Sequence, residues 1–253
     1  MMIRNMMRNG IYRLLHAIVG SGQKVHVILL YHSVGGDAPN SIPISTFERQ
    51  MAFLAERFRV VPLRRFAETT TAEPFVACVT FDEGYRDNRE VALPILEWLG
   101  VEATFFVATG FLGNVFQTFA KPVPMMTPAQ VRELAGLGHE IGAHTVTHPR
   151  LTKVPLPKAR AEMADSKKSL EDLLGTEVVS FAYPKGDYNA AIKDTVRAIG
   201  FRFAVTIREG LVGDAPDWLT LPRVWISDRL SMNTFKAKVS PAAEMYARIR
   251  ERP

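Results

Sequence analysis

The sequence predicts an α/β protein built as a single parallel barrel. Short apolar runs typical of buried strands alternate with helical segments along most of the 253 residues, and about seven such strands can be counted. No linker-like gap and no internal repeat interrupts this alternation. We therefore expect one barrel domain over residues 23–253, preceded by a helix over residues 1–22.

The composition excludes several classes of protein. With 47% hydrophobic and 23% charged residues, the chain has the make-up of a folded protein with an ample core. The single cysteine, Cys78, lies inside a predicted strand and rules out an internal disulfide framework. The net charge of +5 comes without a dense basic stripe, so no nucleic acid partner is expected.

The N-terminal segment has apolar residues at helical spacing over residues 1–20, with Arg4, Arg8 and Arg13 between them. A basic amphipathic helix of this kind lies on anionic membrane surfaces; packing on the barrel exterior is the alternative. The segment has no convincing signal-peptide cleavage site, and no stretch approaches the ~18 apolar residues of a spanning helix. We expect a cytoplasmic protein, peripheral on the inner membrane face if this helix binds lipid.

The first half of the chain contains four predicted strands, at residues 26–31, 59–63, 75–81 and 103–107. The helix after the first strand begins at a capping box formed by Ser45 and Glu48 and runs to about residue 58. A second helix, at about residues 88–99, ends at Gly100.

The second half begins with a long apolar loop at residues 111–126. Thr127 then caps a helix with Pro128 at its first position, ending near residues 136–138. The remaining strands are predicted at residues 140–144, 178–183, 201–206 and 219–226, and the remaining helices at residues 157–174, 189–199, 232–239 and 241–252.

Two adjacent carboxylates, Asp82 and Glu83, directly follow the strand at residues 75–81. Buried strands rarely end in paired acids without a use for them, because desolvating an unpaired carboxylate is costly. The carboxyl ends of barrel strands are also where active sites form. A loop with two solvated acids is the alternative.

Two histidines, His144 and His148, lie four residues apart immediately after another strand, so both rings can reach one metal ion. The helical HExxH motif is absent because Thr145 occupies its second position. In isolation two unrelated turn histidines would be the simpler interpretation. Together with the paired acids, two histidines and one carboxylate have the make-up of a hydrolytic metal site with open positions.

Three stretches resemble the motifs of the polysaccharide deacetylases of carbohydrate esterase family 4, the NodB-homology domain: TFDEGY at residues 80–85, HTVTH at residues 144–148 and FAYPKG at residues 181–186. They occur in that family's order, and the similarity runs from about residue 25 to 226. The resemblance implies a distorted (β/α)7 barrel. It also implies a hydrolase that removes N-acetyl groups from the amino sugars of a polysaccharide or oligosaccharide, using a divalent metal, usually zinc.

The same resemblance implies roles for individual residues. Asp82 corresponds to the general base, and the metal ligands correspond to Glu83, His144 and His148. The backbone after Pro184 corresponds to the segment whose N–H helps to hold the oxyanion. Substrate-binding positions are expected at Tyr183, Pro184, Lys185 and Trp225.

The sequence departs from the family pattern at two positions, and each departure leaves two interpretations open. Glu83 stands where an aspartate is usual, so a glycan-binding barrel with impaired catalysis is the rival to an active enzyme. No histidine follows His148, although many members supply a general acid there. His32, at the end of the first strand, is the candidate acid, with strand-end packing as its alternative. Arg223 either orients Asp82 or is an ordinary surface arginine.

The substrate is expected to be lipid-linked or close to a membrane. Both the basic N-terminal helix and the apolar segment at residues 111–126 favour this interpretation over a freely soluble glycan.

Overall fold

The computed structural model describes residues 24–69, 73–117 and 121–243. Ten strands lie in these ranges: β1 (Val25–Tyr31), β2 (Arg59–Val60), β3 (Phe75–Phe81), β4 (Ala103–Val107), β5 (Val115–Gln117), β6 (Pro122–Pro124), β7 (Glu140–Ala143), β8 (Ser180–Ala182), β9 (Phe203–Val205) and β10 (Val224–Trp225). The α-helices in the same ranges are α1 (Ile44–Arg57), α2 (Leu63–Thr69), α3 (Leu93–Leu99), α4 (Pro128–Gly136), α5 (Leu156–Leu174), α6 (Ala190–Ile199) and α7 (Met232–Lys238).

Seven parallel strands form the barrel in the order β10-β1-β3-β4-β7-β8-β9. A parallel bridge between Val205 and Leu221 joins β9 to the segment that leads into β10. Strand β3 has three neighbours because β2 pairs with its beginning and β4 with its end. The fold is therefore a distorted seven-stranded α/β barrel, which confirms the predicted fold class.

Alternate residues of each strand face opposite sides of this sheet. One buried cluster fills the barrel interior and takes residues from most of its strands, among them Ile28, Cys78, Phe106, Ala182, Val205 and Leu221. The intervening residues, such as Leu29, Val79 and Phe105, pack outward with apolar residues of the helices. Residues that follow a strand continue this alternation for a few positions. Those in step with the interior-facing residues therefore point into the barrel mouth, at the carboxyl ends of the strands.

Several predicted element boundaries require correction. Helix α1 begins at Ile44 after Pro43, and no side chain caps it, so the expected capping box of Ser45 and Glu48 is wrong. The second strand is only Arg59–Val60, because Leu63 already begins α2. The predicted cap at Thr127 is confirmed, and it forms a capping box with Gln130.

The segment at residues 111–126 is not a simple loop, because β5 and β6 pair within it as an antiparallel hairpin. The last barrel strand is also shorter than predicted, since only Val224–Trp225 pairs with β1. Within the described ranges, no helix combines the length and apolar character needed to cross a membrane. The expected N-terminal helix lies outside these ranges, as does most of the helix predicted at residues 241–252.

Candidate active site

Polar side chains converge where the barrel strands end. His32 follows β1, Asp82 follows β3 and His144 follows β7. His32 and Asp82 continue the interior-facing alternation of their strands, and His144 alternates with the outward-facing residues of β7. Arg223 immediately precedes β10. Because β1, β3 and β7 are parallel strands of one closed sheet, with β4 between β3 and β7, their carboxyl ends lie at one edge of the barrel.

Asp82 and Arg223 form a bidentate ion pair in the barrel mouth. Arg223 donates from Nη1 to Oδ1 at 2.7 Å and from Nη2 to Oδ2 at 2.6 Å. The guanidinium also donates to the carbonyl of Thr206 and to the hydroxyl of Thr80. Arg223 is fully buried and Asp82 is 3% exposed, so the interpretation of Arg223 as a surface arginine is wrong.

This pairing sets the charge of Asp82. Burial raises the pKa of the carboxyl, but the charge and hydrogen bonds of Arg223 outweigh it and bring the pKa down to about 2. Asp82 is therefore ionised throughout the neutral range, with both oxygens held in one orientation.

Glu83, His144 and His148 bring one ligand atom each into a group whose members all lie within 4.8 Å of one another. Glu83 Oε1 is 3.3 Å from His148 Nε2, and Glu83 Oε2 is 3.9 Å from His144 Nε2. The carbonyl of Ala182 lies 2.7 Å from His144 Nδ1. A hydrogen bond from Nδ1 to that carbonyl leaves the Nε2 lone pair facing the group.

The residues fit a divalent metal. Among the described residues, Glu83 Oε2 and His148 Nε2 are buried without a hydrogen-bond partner, an arrangement that a cation would satisfy. Burial raises the pKa of Glu83 to about 8 and lowers the pKa of His148 to about 2. A cation would restore the ionised carboxylate, and the histidine is already the neutral ligand that metals need.

Left-handed backbone conformations cluster at this site. Glu83, Thr145, His148 and Lys185 have φ between 57° and 74°, and they are four of the five non-glycine residues with positive φ in the described ranges. Such conformations are uncommon for these residue types and persist only where the surroundings impose them. Hydrogen bonds do so here: the Ala108 amide donates to the Glu83 carbonyl, and the His148 amide donates to Thr145 Oγ1.

His32 lies close enough to this group to interact electrostatically with Asp82, Arg223 and His144. Burial lowers its pKa to about 4, although the charge of Asp82 opposes that shift. Within the described part of the chain, His32 Nδ1 has no hydrogen-bond partner. The ring is therefore a neutral group that lacks the carboxylate partner common for catalytic histidines.

The sequence also matches a known family. The family model described as polysaccharide deacetylase matches residues 69–204, just over half of the chain. This chain belongs to the polysaccharide deacetylase family.

Individual relatives agree with this assignment. The Bacillus subtilis protein YxkH is 29% identical over 217 residues, covering 84% of this chain and 75% of YxkH. Chitin deacetylase 1 of Cryptococcus neoformans is 28% identical over 128 residues, which are 51% of this chain and 24% of that protein. The deacetylase PplD of Streptococcus pyogenes, solved in complex with acetate, superposes with a TM-score of 0.75 at 26% identity, covering 87% of this chain and all of PplD.

The third motif, FAYPKG at residues 181–186, runs from β8 into a short turn. Lys185 is exposed; burial raises the pKa of Glu83 and lowers that of His148, and the positive charge of Lys185 opposes the first shift and adds to the second. Pro184 is buried beside it, and Trp225 is half-buried on β10.

Tyr183 does not fit the expected substrate contact. Its side chain is fully buried, and its hydroxyl donates to the carbonyl of Leu219. Its backbone N–H donates to Val205, so this group is engaged as well. Tyr188, two residues after the motif, has the exposed aromatic ring; it stacks on Tyr183 at 5.0 Å between ring centroids and was not predicted from the sequence.

Glu162, on α5, is a further residue that the motifs do not reveal. Its carboxylate accepts hydrogen bonds from the amides of Val146 and Thr147 and from the Thr147 hydroxyl. These residues lie between the two metal-site histidines, so Glu162 fixes the loop that presents both rings. Nothing local in the sequence distinguishes Glu162 from the exposed glutamates of other helices.

Proposed function

We propose that this polysaccharide deacetylase removes N-acetyl groups from the amino sugars of a glycan, with a divalent metal held by Glu83, His144 and His148. The observation that carries the proposal is the position of an ionised, buried Asp82 beside a three-residue group with the donor set of a hydrolytic metal site. When bound, such a metal acidifies a water molecule and polarises the acetyl carbonyl. Zinc is the ion that these ligands suit best.

Asp82 is assigned as the general base. Its pKa of about 2 makes it a weak base, but it keeps the carboxylate ready to accept a proton at any pH above that value. Arg223 holds both carboxylate oxygens, so position rather than basicity supplies the contribution of Asp82 to the rate.

His32 is assigned as the acid that protonates the leaving amine. An amine cannot depart as an anion near neutral pH, so a proton must be delivered to it. His32 is neutral in the resting site because burial lowers its pKa to about 4. Negative charge developing on the substrate would raise that pKa, as the charge of Asp82 already does in part. The ring would then take up a proton from solvent and pass it to the leaving nitrogen as the C–N bond breaks.

The third motif is assigned to substrate binding. The amides of Gly186 and Asp187 donate within their own turn, so we assign the oxyanion contact to the amide of Lys185. The Lys185 ammonium would meet an anionic group of the substrate. Pro184 and Trp225 would line the groove in which the sugar lies.

The glycan is proposed to be lipid-linked or close to a membrane. An apolar surface borders the metal group, since Phe116 of β5 packs edge-on against His148 at 5.7 Å between centroids. Phe111 packs against Phe116, and both rings are half-buried. A hydrocarbon chain next to the acetylated sugar would cover this surface.

The decisive experiment is acetate release from a panel of N-acetylated glycans, with and without a chelator. The panel includes N-acetylglucosamine oligomers and a polyprenyl-linked N-acetylglucosamine. We expect release from at least one member, abolition by chelator and recovery on adding zinc, because the proposed ligands are useless for hydrolysis without the ion.

Three outcomes would contradict the proposal or part of it. Release that survives complete metal removal would exclude the assigned metal site. Glycan binding without any release, in zinc-loaded protein, would favour the impaired barrel; in that case Glu83→Asp should restore activity. Equal rates on free and polyprenyl-linked sugars would remove the lipid-linked part of the proposal.

Glu162→Ala is expected to weaken zinc binding about 10–100-fold, the usual cost of losing a residue that orients metal ligands. The loop between His144 and His148 loses three hydrogen bonds, so both rings gain freedom. Zinc affinity is measured by competition with a fluorescent chelator. Glu48→Ala, at an exposed position of α1, is the matched control. Unchanged zinc affinity together with a lower unfolding temperature would show that Glu162 supports only the fold.

A further inference from the structure

The segment His32–Val34 is held in place by two residues that neither the motifs nor the proposed chemistry assign. We propose that Asp87 and Asn88 are positioning residues for His32, acting as a clamp on the backbone that carries the ring. This role rests on the proposed function of His32 as the acid that protonates the leaving amine.

The clamp contacts three consecutive residues. Asn88 Nδ2 donates to the carbonyl of His32 at 2.8 Å. Asp87 accepts from the hydroxyl of Ser33 at 2.6 Å and from the amide of Val34 at 3.1 Å. Asn88 Nδ2 also contacts Asp87 Oδ1 at 3.0 Å, which links the two clamp residues to each other.

The fit between clamp and segment is close. A Cβ atom at Gly36 would come within 2.0 Å of Asp87 Oδ2, so only glycine admits the carboxylate at this position. The hydroxyl of Ser41 contacts Ser33 and accepts from the Gly36 amide, which braces the far side of the same turn. The turn after β1 is therefore built around the Asp87 carboxylate.

Asn88 is fully buried, and within the described ranges its Oδ1 has no hydrogen-bond partner. A buried polar atom left unpaired carries a free-energy cost that an apolar residue would avoid. Asn88 also begins a single π-helical segment, Asn88–Ala92, a rare local structure that is frequent at functional sites. A purely structural position would need neither feature.

The ring of His32 has no hydrogen bond at one of its two nitrogens. Its Nδ1 is buried without a partner among the described residues, so no carboxylate orients the ring through that atom. The place of the ring at the barrel mouth therefore depends on the backbone of His32–Val34. Small displacements of an acid relative to its leaving group are costly to the rate.

The test exploits the leaving group. Amide hydrolysis needs a proton for the departing amine, whereas 4-nitrophenyl acetate releases a phenolate that needs none. Asn88→Ala is expected to lower kcat on an N-acetylglucosamine oligomer about tenfold or more, as part of the 10²–10⁴-fold contribution of a general acid, with KM little changed. Hydrolysis of 4-nitrophenyl acetate should stay within about twofold of wild type, since the base and metal site are intact.

Companion variants keep the outcome clear. Asn88→Leu has nearly the same volume but cannot donate to His32, so it should show the same selective loss even if Asn88→Ala folds poorly. His32→Ala should lose amide hydrolysis selectively and to a greater extent. Asn233→Ala, at an exposed position of α7, should change neither activity.

The two ways of failing are distinguishable. If wild type hydrolyses neither substrate, or if His32→Ala slows both equally, the proposed function of His32 fails and the clamp fails with it. If His32→Ala is selective for the amide while both Asn88 variants match wild type or slow both substrates equally, the clamp alone is overturned.

Discussion

Replacing Asp82 with asparagine is expected to lower kcat for deacetylation by about 10²–10⁴-fold, the range that a positioned general base contributes. Asparagine has the same shape but cannot accept a proton from the attacking water. The metal content should be unchanged, because the ligand group consists of Glu83, His144 and His148 and does not include Asp82. Turnover by acetate release and zinc content by elemental analysis are the two measurements.

Asp172→Asn is the matched control, since Asp172 pairs with Lys168 on the exposed face of α5. It should retain full activity. Unaltered turnover in the Asp82→Asn enzyme would reject the assignment of Asp82 as base. Loss of zinc from that variant would instead make Asp82 a metal ligand.

The convergence of the site could be predicted from strand periodicity. His32 and Asp82 each lie an even number of residues after an interior-facing position of their own strand, and His144 alternates with the outward-facing residues of β7, so all three point into the barrel mouth. The resemblance to the family motifs predicted different roles for the two acids, with Asp82 as general base and Glu83 as metal ligand. Strand alternation and short motifs each involve residues close together in the chain, so they can be recognised in a single sequence.

The partners of those residues are set by tertiary structure. Arg223 lies 141 residues from Asp82, and a lone arginine before a two-residue strand has no local pattern that distinguishes burial from exposure. One feature of the sequence indicates that Arg223 points into the barrel: it lies two positions after Leu221, which faces the interior. The left-handed backbone of Glu83 is equally hidden, because it depends on hydrogen bonds from distant residues such as Ala108.

Arg223→Met is expected to lower the free energy of unfolding at pH 7 by about 3–5 kcal/mol, the usual effect of removing one partner of a buried ion pair. Methionine fills much of the space but leaves the Asp82 carboxylate buried without a countercharge. The variant also loses the hydrogen bonds to Thr206 and Thr80. Urea unfolding measures the difference.

Arg197→Met is the matched control for this experiment. Arg197 pairs with Asp194 on the exposed face of α6, where both side chains are more than half exposed. Exposed pairs of this kind contribute about 0–1 kcal/mol. An effect of Arg223→Met as small as that of the control would mean that the buried pair adds little to stability.

The pH dependence of stability gives a sharper prediction, because the contribution of Asp82 should change sign. In the wild type the pKa of Asp82 is depressed from its ordinary 3.8 to about 2, so its ionisation stabilises the fold above pH 3.8 and this contribution is lost as the pH falls through about 2. In Arg223→Met, burial is no longer opposed by the guanidinium and raises the pKa of Asp82 above 3.8. Ionisation then destabilises the fold, and stability falls as the pH rises through the raised pKa.

The difference in unfolding free energy between wild type and Arg223→Met should therefore widen from pH 3 towards neutrality. The acidic limb of the activity profile should also move to higher pH, provided that the variant remains folded. A gap that is constant with pH would show that Arg223 acts by packing and hydrogen bonding, without setting the charge of Asp82.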